Sequence, residues 1–190
     1  MGPTLAVVVA LGSGLPAQAG NGFILSTKSV AAPKGFYGIC DRYDWACARR
    51  AHGSRNFSHA ELMALAERVN SSVNRSVREV SDKQQYRVEE VWALPTRRGG
   101  DCEDFALLKK RELIRLGVSP DRLLIATALT KRREAHAILM LRTDAGDVVL
   151  DNLTSRIKPW RETGYSFLRM QDPEAPSQWR MLLAGGMFGA

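Results

Sequence analysis

Asp101-Cys102-Glu103 sets a cysteine between two acids, at the head of the helix-like run "ALLKKRELIRLG". A thiol is a nucleophile only as thiolate, and a helix N-terminus favours that form through its free N–H groups and its dipole. The flanking carboxylates oppose it, because like charges repel. They therefore need an explanation of their own: either acids suited to a helix start, or ligands of a hard, oxygen-preferring cation.

A reactive thiol also needs a base. His52 and His59 fall in a polar, glycine-containing stretch and in a first helical turn, where exposure is the ordinary state. His136 lies in "AHAILMLR", an alternating run that sends His136, Ile138, Met140 and Arg142 to one face and Ala137, Leu139 and Leu141 to the other. A hairpin closing in "TDAGD" puts Asp151 on the face of His136, as diagonal neighbours roughly 7 Å apart at the backbone. A carboxylate at that reach orients an imidazole and leaves its other nitrogen for a thiol. The competing reading is a solvent-facing strand histidine, a turn aspartate and an inert buried cysteine.

Two helices and a set of strands must position these groups. The first helix opens at "SHAE", where Ser58 caps and Glu61 completes a capping box; Leu62, Leu65, Ala66, Val69 and Val73 share one face. Asn70 and Asn74, one turn apart, are either surface residues or pins for a loop. The segment 80–100, with Pro95 and a glycine pair, reads as an extended, loop-rich approach to the cysteine. The second helix starts at Asp101 or Cys102 and stops at Gly117, a left-handed cap with Pro120 close behind. From Arg122 the period becomes two, in "RLLIATALT", "AHAILMLR" and "VVLDN". A thiol-bearing helix ahead of an antiparallel hairpin makes the fold class α+β.

Residues 1–19, "MGPTLAVVVALGSGLPAQA", are uncharged, with an apolar run from Leu5 to Leu11 and a small-x-small ending at Ala17-Gln18-Ala19. That is the pattern of a signal peptide cleaved near Ala19, although no Lys or Arg precedes the apolar run. The run is shorter than the roughly 18 residues that span a bilayer, so no membrane span is expected in the mature chain. A Gly/Ser/Ala/Pro-rich segment, 20–35, is expected to be flexible. In an oxidising compartment Cys40 and Cys47 pair, and Cys102 is the odd thiol. The net charge of +7 gives a basic surface. Its cations are scattered ("RREAH", "LLKKREL", "TRRGG") without interleaved aromatics, which reads as a solvated face rather than a nucleic-acid site and leaves acidic partners open.

The run "GDCEDFALLKKREL" followed by "HAILML" and "VVLDN", with "APKGFYGICDRYDWAC" and "VWALP" upstream, resembles the bacterial transglutaminase-like cysteine proteinases, which include the LapG-type periplasmic proteases. The likeness runs from about Pro33 to Trp179. It implies a papain/transglutaminase-like domain over 36–190, with the cysteine at a helix N-terminus packed on an antiparallel sheet that carries the histidine and aspartate. It also implies Cys102 as nucleophile, His136 as base and then acid, and Asp151 as the orienting carboxylate of a peptidase working through an acyl-enzyme. The acids beside the cysteine, Asp101 and Glu103, would hold calcium, with Asp104 or Glu90 as further ligands. The Cys102 amide would donate to the oxyanion, and Trp92 is a candidate second donor. A periplasmic location, an exported or surface protein substrate such as a large adhesin, and an inner-membrane regulatory receptor follow from the same likeness. The same triad also serves transglutaminase or amidase chemistry, and an inactive periplasmic binding protein of this fold is the reading from another class.

Overall fold

In the computed structural model residues 22–189 are described, so the leader expected at 1–19 lies outside the described residues. The longest helix, α3 (His59–Ser76), starts where the capping box places it: Ser58 Oγ accepts from the Glu61 amide, and Glu61 Oε2 accepts from the Ser58 amide at 2.8 Å. Its apolar face, Leu62, Leu65, Ala66, Val69 and Val73, is buried. The helix α5 (Cys102–Arg115) ends at Leu116, and Gly117 then takes φ +97°, the left-handed geometry expected of it. Two short helices, α1 (Ile39–Arg42) and α2 (Asp44–Cys47), carry the disulfide between Cys40 and Cys47, and Cys102 is free. Peptide mapping of the unreduced protein is expected to recover that bridge and a single alkylatable thiol at Cys102; a bridge from Cys102 to either partner would contradict this pairing.

Among the described residues, seven strands form one antiparallel sheet in the order β1-β7-β6-β2-β3-β4-β5: β1 (Ser29–Val30), β2 (Leu123–Leu129), β3 (Ala135–Thr143), β4 (Gly146–Leu150), β5 (Lys158–Pro159), β6 (Ser166–Gln171) and β7 (Trp179–Ala184). Both faces are covered. Leu123, Ile125, Ala137, Leu139 and Leu141 pack with α3 and α5, while Leu124, Ile138 and Met140 pack with Trp160, Phe167 and Leu182 on the other side. The alternation in "AHAILMLR" is thus two buried faces rather than one buried and one wet.

Three elements differ from expectation. The segment 80–100 contains a helix, α4 (Asp82–Tyr86), capped by Ser81, whose hydroxyl accepts from the Gln84 amide. The segment expected to be flexible is laid onto the sheet from residue 22: Ile24 is buried, its amide donates to Asp147 Oδ2 at 2.9 Å, and β1 pairs with β7. In "LLKKREL", Lys109 and Lys110 are buried at 1% and 0% exposure, not solvated. The helix that bears them is covered by both α3 and the sheet, so charge in the sequence does not mark an outer face. Lys110 Nζ donates to Gln171 Oε1 at 2.9 Å, and burial draws both ammonium groups down to about 7.

Candidate active site

Cys102 is the first residue of α5, where the leading amides have no acceptor within the helix. The glycine pair ahead of it is needed for this placement. Gly99 has φ +127° and lies so close to the Arg78 carbonyl that any side chain would collide, and the Gly100 amide donates to that same carbonyl at 3.1 Å. The turn thereby delivers Asp101 and Cys102 to the helix start. There the sulfur receives the Ala137 amide at 3.4 Å, which seats the thiol beside the start of β3, at the residue that follows His136 in the chain. Its other hydrogen bond runs to Glu103 Oε2 at 3.1 Å, not to the imidazole. Burial and the Glu103 charge push the thiol well above its ordinary value.

β3 and β4 pair Leu139 with Leu150, a register that sets Asp151, one residue beyond β4, diagonal to His136. The two side chains meet: His136 Nε2 lies 2.9 Å from Asp151 Oδ1, with both groups buried. Nδ1 is left as the nitrogen available to a thiol or substrate. Asp151 is held from every side. Its Oδ1 also accepts the Leu153 amide at 3.0 Å, its Oδ2 accepts the Tyr165 hydroxyl at 2.6 Å, and its carbonyl accepts Asn74 Nδ2 at 2.8 Å. Burial works to raise this carboxyl, but the His136, Tyr165 and Leu153 bonds outweigh it and hold the pKa below the usual range. Asn70 and Asn74 therefore pin the loop that carries Asp151; Asn70 Nδ2 donates to the Thr154 and Ser155 carbonyls at 3.3 and 3.1 Å.

Tyr165, at the start of the chain's return into β6, was not singled out from the sequence; only the pairing of β6 with β2 brings it to Asp151. Tyr165→Phe keeps the ring and removes one charge-assisted bond, so kcat/KM is expected to fall about tenfold, with the fold intact by circular dichroism. An unchanged rate would mean that the Leu153 amide and His136 hold Asp151 without it.

Around the thiol the acids gather. Single oxygens of Asp82, Asp101 and Glu103 lie within 4.8 Å of one another. Asp101 Oδ2 accepts the Asp82 amide at 3.0 Å and Asp82 Oδ2 accepts the Val91 amide, but Asp101 Oδ1 and Asp82 Oδ1 are buried with no hydrogen-bond partner. Burial and the Asp101 charge raise Glu103 to about 8. Asp104, raised to about 7 mainly by burial, turns instead to the Ala93 amide at 2.9 Å. Glu90 accepts the Trp92 indole N–H at 2.8 Å. Asp82, from α4, is thus an acid of this cluster that the sequence did not offer, and Asp104 Oδ2 is likewise buried with no hydrogen-bond partner. Unpaired buried carboxylate oxygens crowded at this spacing fit a hard cation better than they fit one another.

Trp92 is a core residue here. Its ring meets Phe36 and Trp179 edge-on, and its N–H is taken by Glu90, so the donor proposed for an oxyanion is already engaged. His52 and His59 are exposed, and His136 alone of the three histidines meets Asp151.

The chain matches known proteins in two ways. A family model described as bacterial transglutaminase-like cysteine proteinase matches residues 26–186. Solved structures of Legionella pneumophila LapG are similar. The calcium-bound form is 26% identical over 66% of this chain and 71% of its own, with a TM-score of 0.55. The EGTA-treated form is 27% identical over 58% and 63%, with a TM-score of 0.51. No curated protein matches the chain significantly.

Proposed function

Since the chain belongs to the bacterial transglutaminase-like cysteine proteinases, we propose that it cleaves a peptide bond of an exported or surface protein with Cys102, His136 and Asp151 as its triad. One observation carries the assignment of residues: a buried His136–Asp151 pair stands at the start of the strand whose Ala137 amide meets the sulfur of a thiol at a helix N-terminus.

The chemistry follows from those positions. His136 takes the thiol proton, and the Cys102 sulfur attacks the carbonyl carbon of the scissile bond. The amide at the head of α5 is placed to donate to the developing oxyanion. As the C–N bond breaks, His136 returns the proton to the leaving amine, and an acyl-enzyme remains on sulfur. Water then gives its proton to His136 and attacks the acyl carbon, and the thiol leaves reprotonated. Asp151 stabilises the imidazolium that forms in each half and fixes the ring's tautomer. Tyr165 and the Leu153 amide keep that carboxylate ionised, and Asn74, through the Asp151 carbonyl, keeps its loop in place.

Asp82, Asp101 and Glu103 would hold a calcium ion. Bound there, it would neutralise carboxylates that otherwise disfavour the thiolate. The relatives' calcium-bound and EGTA-treated forms support this reading, as do the unpaired oxygens of the cluster. No helix among the described residues is long and apolar enough to cross a membrane. A periplasmic enzyme released by cleavage near Ala19, acting on a large adhesin under control of an inner-membrane receptor, is the setting we propose. The test compares N-termini in the surface proteome of cells carrying the wild-type chain and Cys102→Ala. New N-termini confined to the wild type identify the substrate; indistinguishable proteomes would count against proteolysis.

A further inference from the structure

Next to the triad lies a cavity of about 430 Å³, lined by Lys131, Arg132, Glu134, Leu153, Lys158 and Tyr165 among others. Its floor reaches the catalytic machinery. Tyr165 is bonded to Asp151, and Tyr165 and Lys158 also line a smaller recess that includes Asp151 itself. Three cations face one carboxylate there. Among the described residues none of Lys131, Arg132 and Lys158 has an ion-pair partner, whereas Arg122, Arg142 and Arg180 elsewhere are each within ion-pair reach of an aspartate.

The hairpin that carries two of the cations is held in place. The hairpin tip between β2 and β3 is tied by Thr130, whose amide donates to the Glu134 carbonyl at 2.9 Å and whose hydroxyl receives the Arg132 and Glu134 amides. The stem of Lys131 rests against Gly164, in the space a side chain would fill. Cations without ion-pair partners, gathered around a partly apolar cavity on a tied hairpin, form a receptor for negative charge carried on an extended peptide.

We infer that this cavity is a specificity site for acidic side chains close to the scissile bond of the substrate. The inference rests on the peptidase reading for its location, but peptide binding tests it without turnover. In an extended chain alternate side chains point the same way, so an alternating acidic segment would set its carboxylates on Lys131, Arg132 and Lys158 and its small residues toward Leu153.

The experiment uses the Cys102→Ala chain and two fluorescein-labelled peptides of equal length, one of alternating Glu and Ala, the other with Gln for Glu. Anisotropy at low ionic strength is expected to show the Glu peptide binding roughly tenfold tighter, an advantage that shrinks as salt is added. Lys131→Glu with Arg132→Glu should abolish that advantage. Arg50→Glu with Arg55→Glu, in a separate cavity beside Val118, should leave it standing. Equal binding of the two peptides, equal loss in both double variants, or equally tight binding of an oligonucleotide of matched charge would overturn the inference. A chain that keeps the Glu preference while the wild type hydrolyses nothing would overturn the peptidase reading and leave the acidic site supported.

Discussion

Cys102→Ala is expected to lower the rate of substrate cleavage by roughly 10⁴ to 10⁶, and His136→Ala by a similar factor, with little further loss when the two are combined. The reason is that the residues act as one device: an imidazole without a thiol has no nucleophile to activate, and the thiol without the imidazole stays protonated. In this chain the second point has unusual weight. Burial and Glu103 already push the Cys102 thiol above its ordinary range, so little thiolate forms unaided near neutral pH. Asp151→Asn should cost less than either, since the Leu153 amide, Tyr165 and Asn74 still hold the loop while the imidazolium loses its counter-charge. Single-turnover assays on the identified substrate check all four variants. Additive losses in the double variant would show that Cys102 and His136 do not work together.

Chelation is expected to have the second largest effect, a loss of roughly 100-fold or more on EGTA treatment, with calcium restoring activity better than magnesium. Asp82→Ala, Asp101→Ala and Glu103→Ala should each resemble chelation. The physical ground is the crowding of the acids at the thiol: Glu103, which would serve the ion, accepts from the Cys102 thiol at 3.1 Å, and its charge helps to push that thiol up. The same acids set a pH signature for the chelated protein. Glu103 and Asp104 have folded pKa values raised from ordinary values of 4.5 and 3.8 to about 8 and about 7. A raised carboxyl contributes stability that is fully present below the unfolded value and lost as pH rises through the folded one. Tm in EGTA is thus expected to fall between about pH 4 and pH 7, above which the loss of protons from Lys109 and Lys110, lowered to about 7, works the other way, and added calcium to restore it most near the upper end of that window. A Tm that is equal with and without calcium across the range would show that the cluster holds no ion.

Where local chemistry decided the structure, the sequence was legible. Ser58 with Glu61 announced α3, Gly117 announced the end of α5, and the turn in "TDAGD" set the register that joins His136 to Asp151. Asp101 and Glu103 could be read as acids in want of a cation because they flank a thiol they would otherwise hinder. What stayed hidden depends on contacts distant in the chain. Asp82 joins the cluster only because a short helix folds within a segment rich in turn residues, and Tyr165 reaches Asp151 only through the pairing of β6 with β2. Lys109 and Lys110 misled because α5 is enclosed, and a charged residue carries no mark of burial when its partner, Gln171, is sixty-one positions away. Trp92 was misleading for the opposite reason: its donor was evident in the sequence, but its acceptor, Glu90, was close enough to claim it first.

The central claim is that the acyl group of the substrate passes through the sulfur of Cys102. Mixing the wild-type, calcium-supplied protein with an activated peptide ester, quenching in acid and mapping the adduct by mass spectrometry tests it directly. The account predicts one acyl group on the peptide that contains Cys102, none on the peptides of Cys40 and Cys47, and a rate of acylation that collapses in His136→Ala. Cleavage that proceeds with no adduct at Cys102, or with the acyl group on another residue, would contradict it.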